Sequence, residues 1–269
     1  MANHLPMEVG VARYAAVPGS ATEPADPTSL LVPERLWDLG SHAHRLGRSL
    51  HSGPVAATLR EAIISGLLPS GTQLVERTLA EHLGVSRGPV RNALYTLEGE
   101  GLVATGMNGR TVVRGFDPED LADLLAVRFE LESTAIRWAT ERQRSIQTLL
   151  DVLAEMEAEG TSNQNLVNLD VSFHLALVEA SHSRFLVQAW QALAPVVHTV
   201  ITLGNRSLEQ RDPVSNFNRI IESHRRIVAP IQDGTTDVAI RRLAEQFNFT
   251  ESMFGPDQDR PAPRGPSPR

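Results

Sequence analysis

The sequence predicts a mainly α-helical protein in two parts: a small N-terminal domain of three helices and a two-stranded ribbon, then an all-α antiparallel helical bundle. Glycines divide residues 55–115 into short amphipathic segments, whereas every segment from Asp117 onward has the periodicity of a helix. A chain of 269 residues with 41% hydrophobic residues is long enough for two domains with buried cores.

The N-terminal segment has three short apolar faces at helical spacing. They consist of Val55, Leu59, Ile63 and Ile64, then Leu79, Ala80 and Leu83, then Val90, Leu94 and Leu97. Gly84 stops the second helix, and Ser86 is an N-cap for the third. Two strands, 102–104 and 111–113, follow and are joined by a turn that contains Asn108-Gly109.

This order of elements is typical of a winged helix-turn-helix, and its chemistry fits DNA. Ser86 and Arg87 lie where the third helix begins, so its free N–H groups and partial positive charge face a phosphate. Arg87 and Arg91 are four residues apart and share a face that can enter a major groove. A plain helical hairpin is the alternative for the turn alone, but the wing and the arginines favour DNA binding.

The second half begins with a strong helix signal at Asp117-Pro118-Glu119: a cap, a proline in the first turn and an acidic residue. Five more helices are predicted, with short connections that favour antiparallel neighbours. They span approximately 145–159, 162–181, 184–204, 213–233 and 236–253.

The predicted domains are an extension over residues 1–50 with a short helix near its end, a DNA-binding domain over 51–116, an effector and dimerisation domain over 117–253, and a disordered tail over 254–269. The chain has no cysteine, which excludes disulfides and thiolate metal sites. Neither a signal peptide nor an apolar run of membrane-spanning length is recognisable, so we expect a cytoplasmic protein without a membrane partner.

Charge is divided unevenly along the chain. The net charge is −7, and all 25 basic residues are arginine. Residues 51–116 hold 6 Arg and 5 acidic residues, whereas residues 117–253 hold 12 Arg and 20 acidic residues. The acidity therefore lies in the bundle and does not argue against DNA binding by the N-terminal domain. Genomic base composition accounts for most of the arginine preference.

About sixty residues from Val55 to Val113 resemble the N-terminal domain of the GntR transcription regulators. The matching marks include Leu68-Pro69-Ser70-Gly71, Leu83-Gly84-Val85-Ser86-Arg87, Pro89-Val90-Arg91 and Glu100-Gly101-Leu102-Val103. The helical second half, with Val127-Arg128 and Leu131-Glu132 on its first helix, resembles the FadR branch of that family. The resemblance implies a ligand-sensing FCD-type domain and an operator-binding regulator, for which we expect repression. We also expect a homodimer, held by the bundle or by contacts between the winged domains, because a net charge of +1 gives one winged domain few phosphate contacts.

The resemblance also assigns DNA contacts. They fall on Arg77, Ser86, Arg87, Gly88, Arg91 and, at the wing tip, Gly109. Only Gly88 lies where the family varies its residue type.

Asp170 and His174 lie one helical turn apart, and the predicted fifth bundle helix carries His224. A carboxylate and imidazoles suit Zn²⁺, Ni²⁺ or Mn²⁺. In the FadR branch a further His follows about 22 residues on, where this chain has Gln246, a weak neutral oxygen ligand. The resemblance therefore implies an effector pocket at these four residues with the first three as metal ligands, and the alternatives are a pocket without metal or a buried Asp–His pair.

Arg128 is expected to point into the bundle and pair with an effector carboxylate, or else with Glu132 four residues on. No HExxH, GxSxG or phosphate-loop motif occurs. We therefore expect no enzyme but a regulator whose operator binding responds to an organic acid. The alternative, a metal-dependent helical enzyme, rests on the Asp/His set alone.

Overall fold

The computed structural model describes residues 52–158, 163–209 and 213–252. The predicted extension with its short helix, and the predicted tail, lie outside these residues. The fold class is confirmed: helices dominate, and a winged helix-turn-helix precedes an all-helical part.

From residue 52, where the described part of the chain begins, the N-terminal part contains three helices and three strands. In chain order they are α1 (Ser52–Ile64), β1 (Gln73–Leu74), α2 (Glu76–Leu83), α3 (Arg87–Gly99), β2 (Val103–Thr105) and β3 (Thr111–Val113). The α2–α3 turn forms because Gly84 takes a left-handed conformation, with φ of 64°, and its N–H donates to the Ala80 carbonyl. Val90, Leu94 and Leu97 of α3 are buried, as the sequence predicts.

The wing is a three-stranded sheet: the two predicted strands are present as β2 and β3, and the sequence analysis missed β1. The order is β1-β3-β2, with both pairs antiparallel, and Leu74 of β1 faces Thr111 of β3. A two-residue strand has no periodicity of its own, and β1 is extended because β3 supplies its hydrogen-bonding partners.

Within residues 118–158, 163–209 and 213–252, the C-terminal part contains six helices, joined by short connections. They are α4 (Pro118–Glu141), α5 (Gln147–Ala158), α6 (Asn163–Glu179), α7 (Arg184–Glu209), α8 (Pro213–Gln232) and α9 (Thr236–Ser252). Asp117 caps α4: its carboxylate accepts from the N–H groups of Glu119 and Asp120, and the Asp120 carboxylate accepts from the N–H of Asp117. This capping box fixes the start of the helix that carries Arg128 and Glu132.

By length and composition, the α7 stretch Arg184–Asn205 is apolar enough to cross a membrane. In the structure it packs against α6 as a bundle helix. Trp190 is fully buried, and its indole N–H donates to the carboxylate of Glu132 on α4 at 2.9 Å. The bundle therefore covers part of the apolar surface of α7, and 33% of its most apolar 18-residue stretch is buried.

Candidate DNA-binding surface and buried effector site

The N-terminus of α3 presents the residues predicted to contact DNA. Ser86 occupies the N-cap position as the sequence predicts, but its side chain makes no capping hydrogen bond. The N–H groups of the first turn therefore lack a side-chain acceptor there, which suits a phosphate oxygen. Arg87, Gly88 and Arg91 are all exposed.

Two of the predicted contact residues are held by acidic residues of α2. Arg91 donates twice to the Glu76 carboxylate, from Nε and Nη2, each at 2.8 Å. This hydrogen bonding lowers the pKa of Glu76 below its usual value. Arg77 donates from Nε to Glu81, also at 2.8 Å. Both pairs are exposed, so a phosphate can exchange with either carboxylate at little cost.

The wing tip is a turn closed by backbone hydrogen bonds between Gly106 and residues 109 and 110. Gly109 has φ of +73°, a conformation that a side chain disfavours. Two exposed residues escaped the sequence reasoning: Met107 at the wing tip and Tyr95 on α3, which is 64% exposed. The spacing Arg87, Arg91, Tyr95 (i, i+4, i+8) was the signal that could have found Tyr95.

The structure brings Asp170, His174 and His224 together inside the bundle. One potential ligand atom from each lies within 4.8 Å of the other two. Asp170 and His174 project from α6 and His224 from α8, and all three residues are buried. The predicted convergence across the bundle core is therefore present in the geometry.

Glu132 of α4 sets the orientation of His174. It is fully buried and accepts from His174 Nδ1 at 2.6 Å, from Arg128 Nε at 2.7 Å and from Trp190 Nε1 at 2.9 Å. With Nδ1 so used, Nε2 is the ring nitrogen of His174 that remains for a ligand. The sequence reasoning named Glu132 only as a possible partner of Arg128 and missed its contacts with His174 and Trp190.

Burial shifts the titration of these groups. Burial alone raises the pKa of Glu132, but Arg128 and its other partners outweigh it and leave the pKa below its usual value. Burial lowers the pKa of His174, and Arg128 lowers it further. We therefore assign an ionised Glu132 and a neutral His174 that donates its Nδ1 proton.

His224 is oriented by the backbone. Its Nδ1 lies 2.7 Å from the Ile220 carbonyl oxygen, which only a protonated nitrogen can satisfy. Its Nε2 lies 3.1 Å from Asp170 Oδ1 and 3.1 Å from the Gln246 amide nitrogen. In neutral His224 the Nε2 lone pair accepts from the Gln246 amide N–H and lies beside a carboxylate oxygen of Asp170, a repulsive contact that a bound metal cation would relieve. Asp170 stays ionised: burial raises its pKa, but His224 beside it, together with His174 and Arg128, outweighs this and lowers the pKa below its usual value.

A cavity of about 210 Å³ adjoins this cluster and is lined by Arg128, Asp170, His174 and Gln246 among others. Both interpretations of Arg128 have support. Its Nε is paired with Glu132, whereas its buried Nη2 makes no hydrogen bond with the described residues. A buried guanidinium nitrogen without a partner is unfavourable, and a ligand carboxylate can satisfy it.

Comparison with known proteins decides the family. Residues 52–113 match the model of bacterial regulatory proteins of the gntR family, and residues 123–248 match the FCD domain. The chain belongs to the GntR family. It is a ligand-modulated DNA-binding transcription regulator and not an enzyme, which confirms the functional prediction.

Curated relatives of this GntR regulator align with most of its length. It is 28% identical to the gluconate operon transcriptional repressor of Bacillus licheniformis, over 82% of this chain and 88% of the relative. It is 29% identical to the Glc operon transcriptional activator of Escherichia coli K12, over 70% of this chain and 82% of that relative. Related sequences thus include both a repressor and an activator.

Solved structures support the fold. The Listeria monocytogenes regulator Lar aligns with a TM-score of 0.58 at 21% identity, over 75% of this chain and 95% of that one. Escherichia coli McbR/YncC aligns with a TM-score of 0.54 at 23% identity, over 76% and 96% respectively.

Proposed function

We propose that this regulator is a homodimeric repressor in the cytoplasm that binds a two-fold operator and releases it when an organic acid enters the FCD cavity. The observation that carries the effector class is the buried Nη2 of Arg128, which has no hydrogen-bond partner among the described residues and belongs to a cavity-lining side chain. A carboxylate supplies the acceptor and the charge that this nitrogen lacks.

The operator is contacted by Ser86, Arg87, Gly88 and Arg91 of the α3 N-terminus, with Arg77 on phosphate and Gly109 at the wing. Ser86 and the open first turn of α3 offer N–H donors, and Gly88 lets the DNA backbone come close because it has no side chain. Arg91 exchanges Glu76 for a base edge or a phosphate.

Dimerisation follows from the small charge of one domain. With a net charge of only +1 over residues 51–116, one DNA-binding domain makes few phosphate contacts, and a second copy of the chain doubles their number. The incompletely buried apolar stretch of α7, with Val127 of α4 50% exposed and Phe185 of α7 67% exposed, supplies apolar surface for the partner copy.

Asp170, His174 and His224 fit a divalent metal such as Zn²⁺, Ni²⁺ or Mn²⁺. Both imidazoles have Nδ1 engaged with acceptors, which leaves Nε2 of each ring for a metal ligand bond, and Asp170 Oδ1 lies 3.1 Å from His224 Nε2. Such an ion would supply a Lewis acid for the effector carboxylate. Gln246 contributes at most a weak fourth ligand, through its amide oxygen.

The direct test is binding of the full-length protein to the DNA upstream of its own gene, by fluorescence anisotropy at fixed salt. We expect specific binding by a dimer, weakened when an organic acid that raises the melting temperature of the protein is added. Arg128→Gln also removes the counter-charge of buried Glu132 and should lower the melting temperature, so its DNA binding is measured well below that temperature. There it should keep DNA binding and lose the response to the acid. Specific binding by a monomer in light scattering would contradict the dimer, and a full response in Arg128→Gln would contradict the assigned carboxylate site.

A further inference from the structure

The FCD cavity is cationic inside an acidic domain. Four arginines and two acidic residues line it: Arg128, Arg219, Arg226, Arg242, Asp170 and Glu245. Residues 117–253 as a whole hold 12 Arg and 20 acidic residues. The excess of arginine is therefore a property of the cavity and not of the composition around it, and it indicates an anionic occupant.

The arginines lie at two depths. Arg128 is 3% exposed at the inner end, beside His174 and Asp170. At the outer end, the side chain of Arg226 on α8 is 47% exposed and that of Arg242 on α9 is 36% exposed. One carboxylate bound at Arg128 leaves the positive charge of the outer end without a ligand anion.

The outer end already binds a carboxylate of the protein itself. Arg242 Nη1 donates to both oxygens of Glu245 at 2.9 Å, and Arg226 Nη2 lies 3.3 Å from the same carboxylate. Two guanidinium groups that converge on one exposed carboxylate make a site that a ligand anion can share or take over. The contact of Arg226 is long, so this arginine keeps donors for a better placed anion.

We propose that the effector carries two anionic groups, a carboxylate at the inner end beside Arg128 and a second anion, carboxylate or phosphate, at Arg226 and Arg242. This proposal rests on the organic-acid effector of the preceding subsection and names its class. An acid with one anionic group occupies only the inner end.

The test uses matched acids that differ at one end only. The first set is gluconate, glucarate and 6-phosphogluconate, which end in a hydroxyl, a carboxylate and a phosphate respectively. Two sets of shorter acids compare propionate with succinate and glycerate with 3-phosphoglycerate. Binding to the full-length protein is measured by melting temperature and isothermal calorimetry. We expect the dianionic member of a binding set to bind about tenfold tighter than the monoanionic one, and the carboxylate and phosphate members tell which anion is preferred.

Three variants locate the second anion. The double variant Arg226→Gln/Arg242→Gln should lose the advantage of the dianion and keep the affinity for the monoanion. Arg225→Gln is the matched control, because Arg225 lies on the same helix but pairs with Glu157 and Glu222 outside the cavity. Glu245→Gln should tighten binding of the dianion only, since it removes the competing carboxylate.

The outcomes distinguish failure of the second anion site from failure of the organic-acid effector. Equal affinity of monoanions and dianions, or an advantage that survives in the double variant, overturns the second anion site and leaves the organic-acid effector standing. If no acid of any set binds, the organic-acid effector itself is refuted and the second site with it.

Discussion

Replacement of Glu132 should destabilise the FCD domain more than any surface change on α4. This carboxylate is fully buried and accepts from three donors, Arg128, His174 and Trp190, at 2.6 to 2.9 Å. Glu132→Ala leaves the buried guanidinium without its counter-charge, and breaking a buried ion pair costs about 3–5 kcal/mol. A typical domain has about 5–15 kcal/mol of unfolding free energy in total, so the loss is a large fraction of it.

The measurement is urea unfolding followed by tryptophan fluorescence, since Trp138 and Trp190 both lie in the bundle. With a slope of about 2 kcal/mol per molar urea, the midpoint should fall by more than about 1 M. Glu132→Gln keeps the volume and one acceptor oxygen, so we expect about half the loss. The matched control is Glu130→Ala, two residues away and exposed, which should change the free energy of unfolding by less than about 0.5 kcal/mol.

The reasoning is refuted if Glu132→Ala unfolds within about 1 kcal/mol of the wild type. That result would mean that the three donors find other partners or water once the carboxylate is gone. A loss of the same size in Glu130→Ala would show instead that α4 tolerates no truncation, and that the buried network has no special share in its stability.

Three further predictions concern the DNA-binding surface and the metal site. Arg87→Ala and Arg91→Ala should each weaken operator binding by about 1–3 kcal/mol in anisotropy titrations while leaving the melting temperature nearly unchanged, and wild-type affinity in both would refute the assignment of α3. Gly88→Ala meets no atom within 4 Å and replaces a poor helix former, so it should stabilise the protein by up to about 1 kcal/mol yet weaken operator binding; equal or tighter binding would exclude close approach of DNA there. Elemental analysis of protein purified without chelator should find a divalent metal that is lost in His174→Ala and better retained in Gln246→His. Metal retention should fall as the pH falls, because a protonated imidazole cannot bind a metal. Absence of metal from both the wild type and Gln246→His would leave a pocket without an ion.

The sequence predicts the helices of this protein well because local signals mark their ends. Asp117-Pro118 starts α4 and Gly84 ends α2, and both act within one turn of the chain. Strand β1 escapes such reasoning because a two-residue strand exists only through its pairing with β3, about forty residues away. Local signals therefore place helices, whereas short strands depend on the tertiary fold.

The residues of the candidate site fall into the same two groups: those that local spacing places and those that only the tertiary fold brings together. Asp170 and His174 share a helix turn, so their spacing already places them on one face, and the family resemblance adds His224. The role of Glu132 could not be read, because His174 is 42 and Trp190 is 58 residues from it along the chain. The outer arginines likewise come from two helices and meet only when α8 and α9 pack together.

A continuous set of contacts joins the buried site to the recognition helix. His198 of α7 lies 3.0 Å from the Asn168 side chain on α6, two residues before Asp170. Helix α7 packs against α1 of the DNA-binding domain. Burial lowers the pKa of His198, and the nearby Arg60 of α1 lowers it further. Arg60 in turn donates to both oxygens of Glu100, just after α3, at 2.6 and 2.7 Å. Because this buried, two-bond ion pair ties α1 to the end of α3, we expect a shift of α6 against α7 to reach α3 through α1. An effector that favours one placement of α6 therefore favours one placement of the recognition helix, and this differential affinity is what control of operator binding requires.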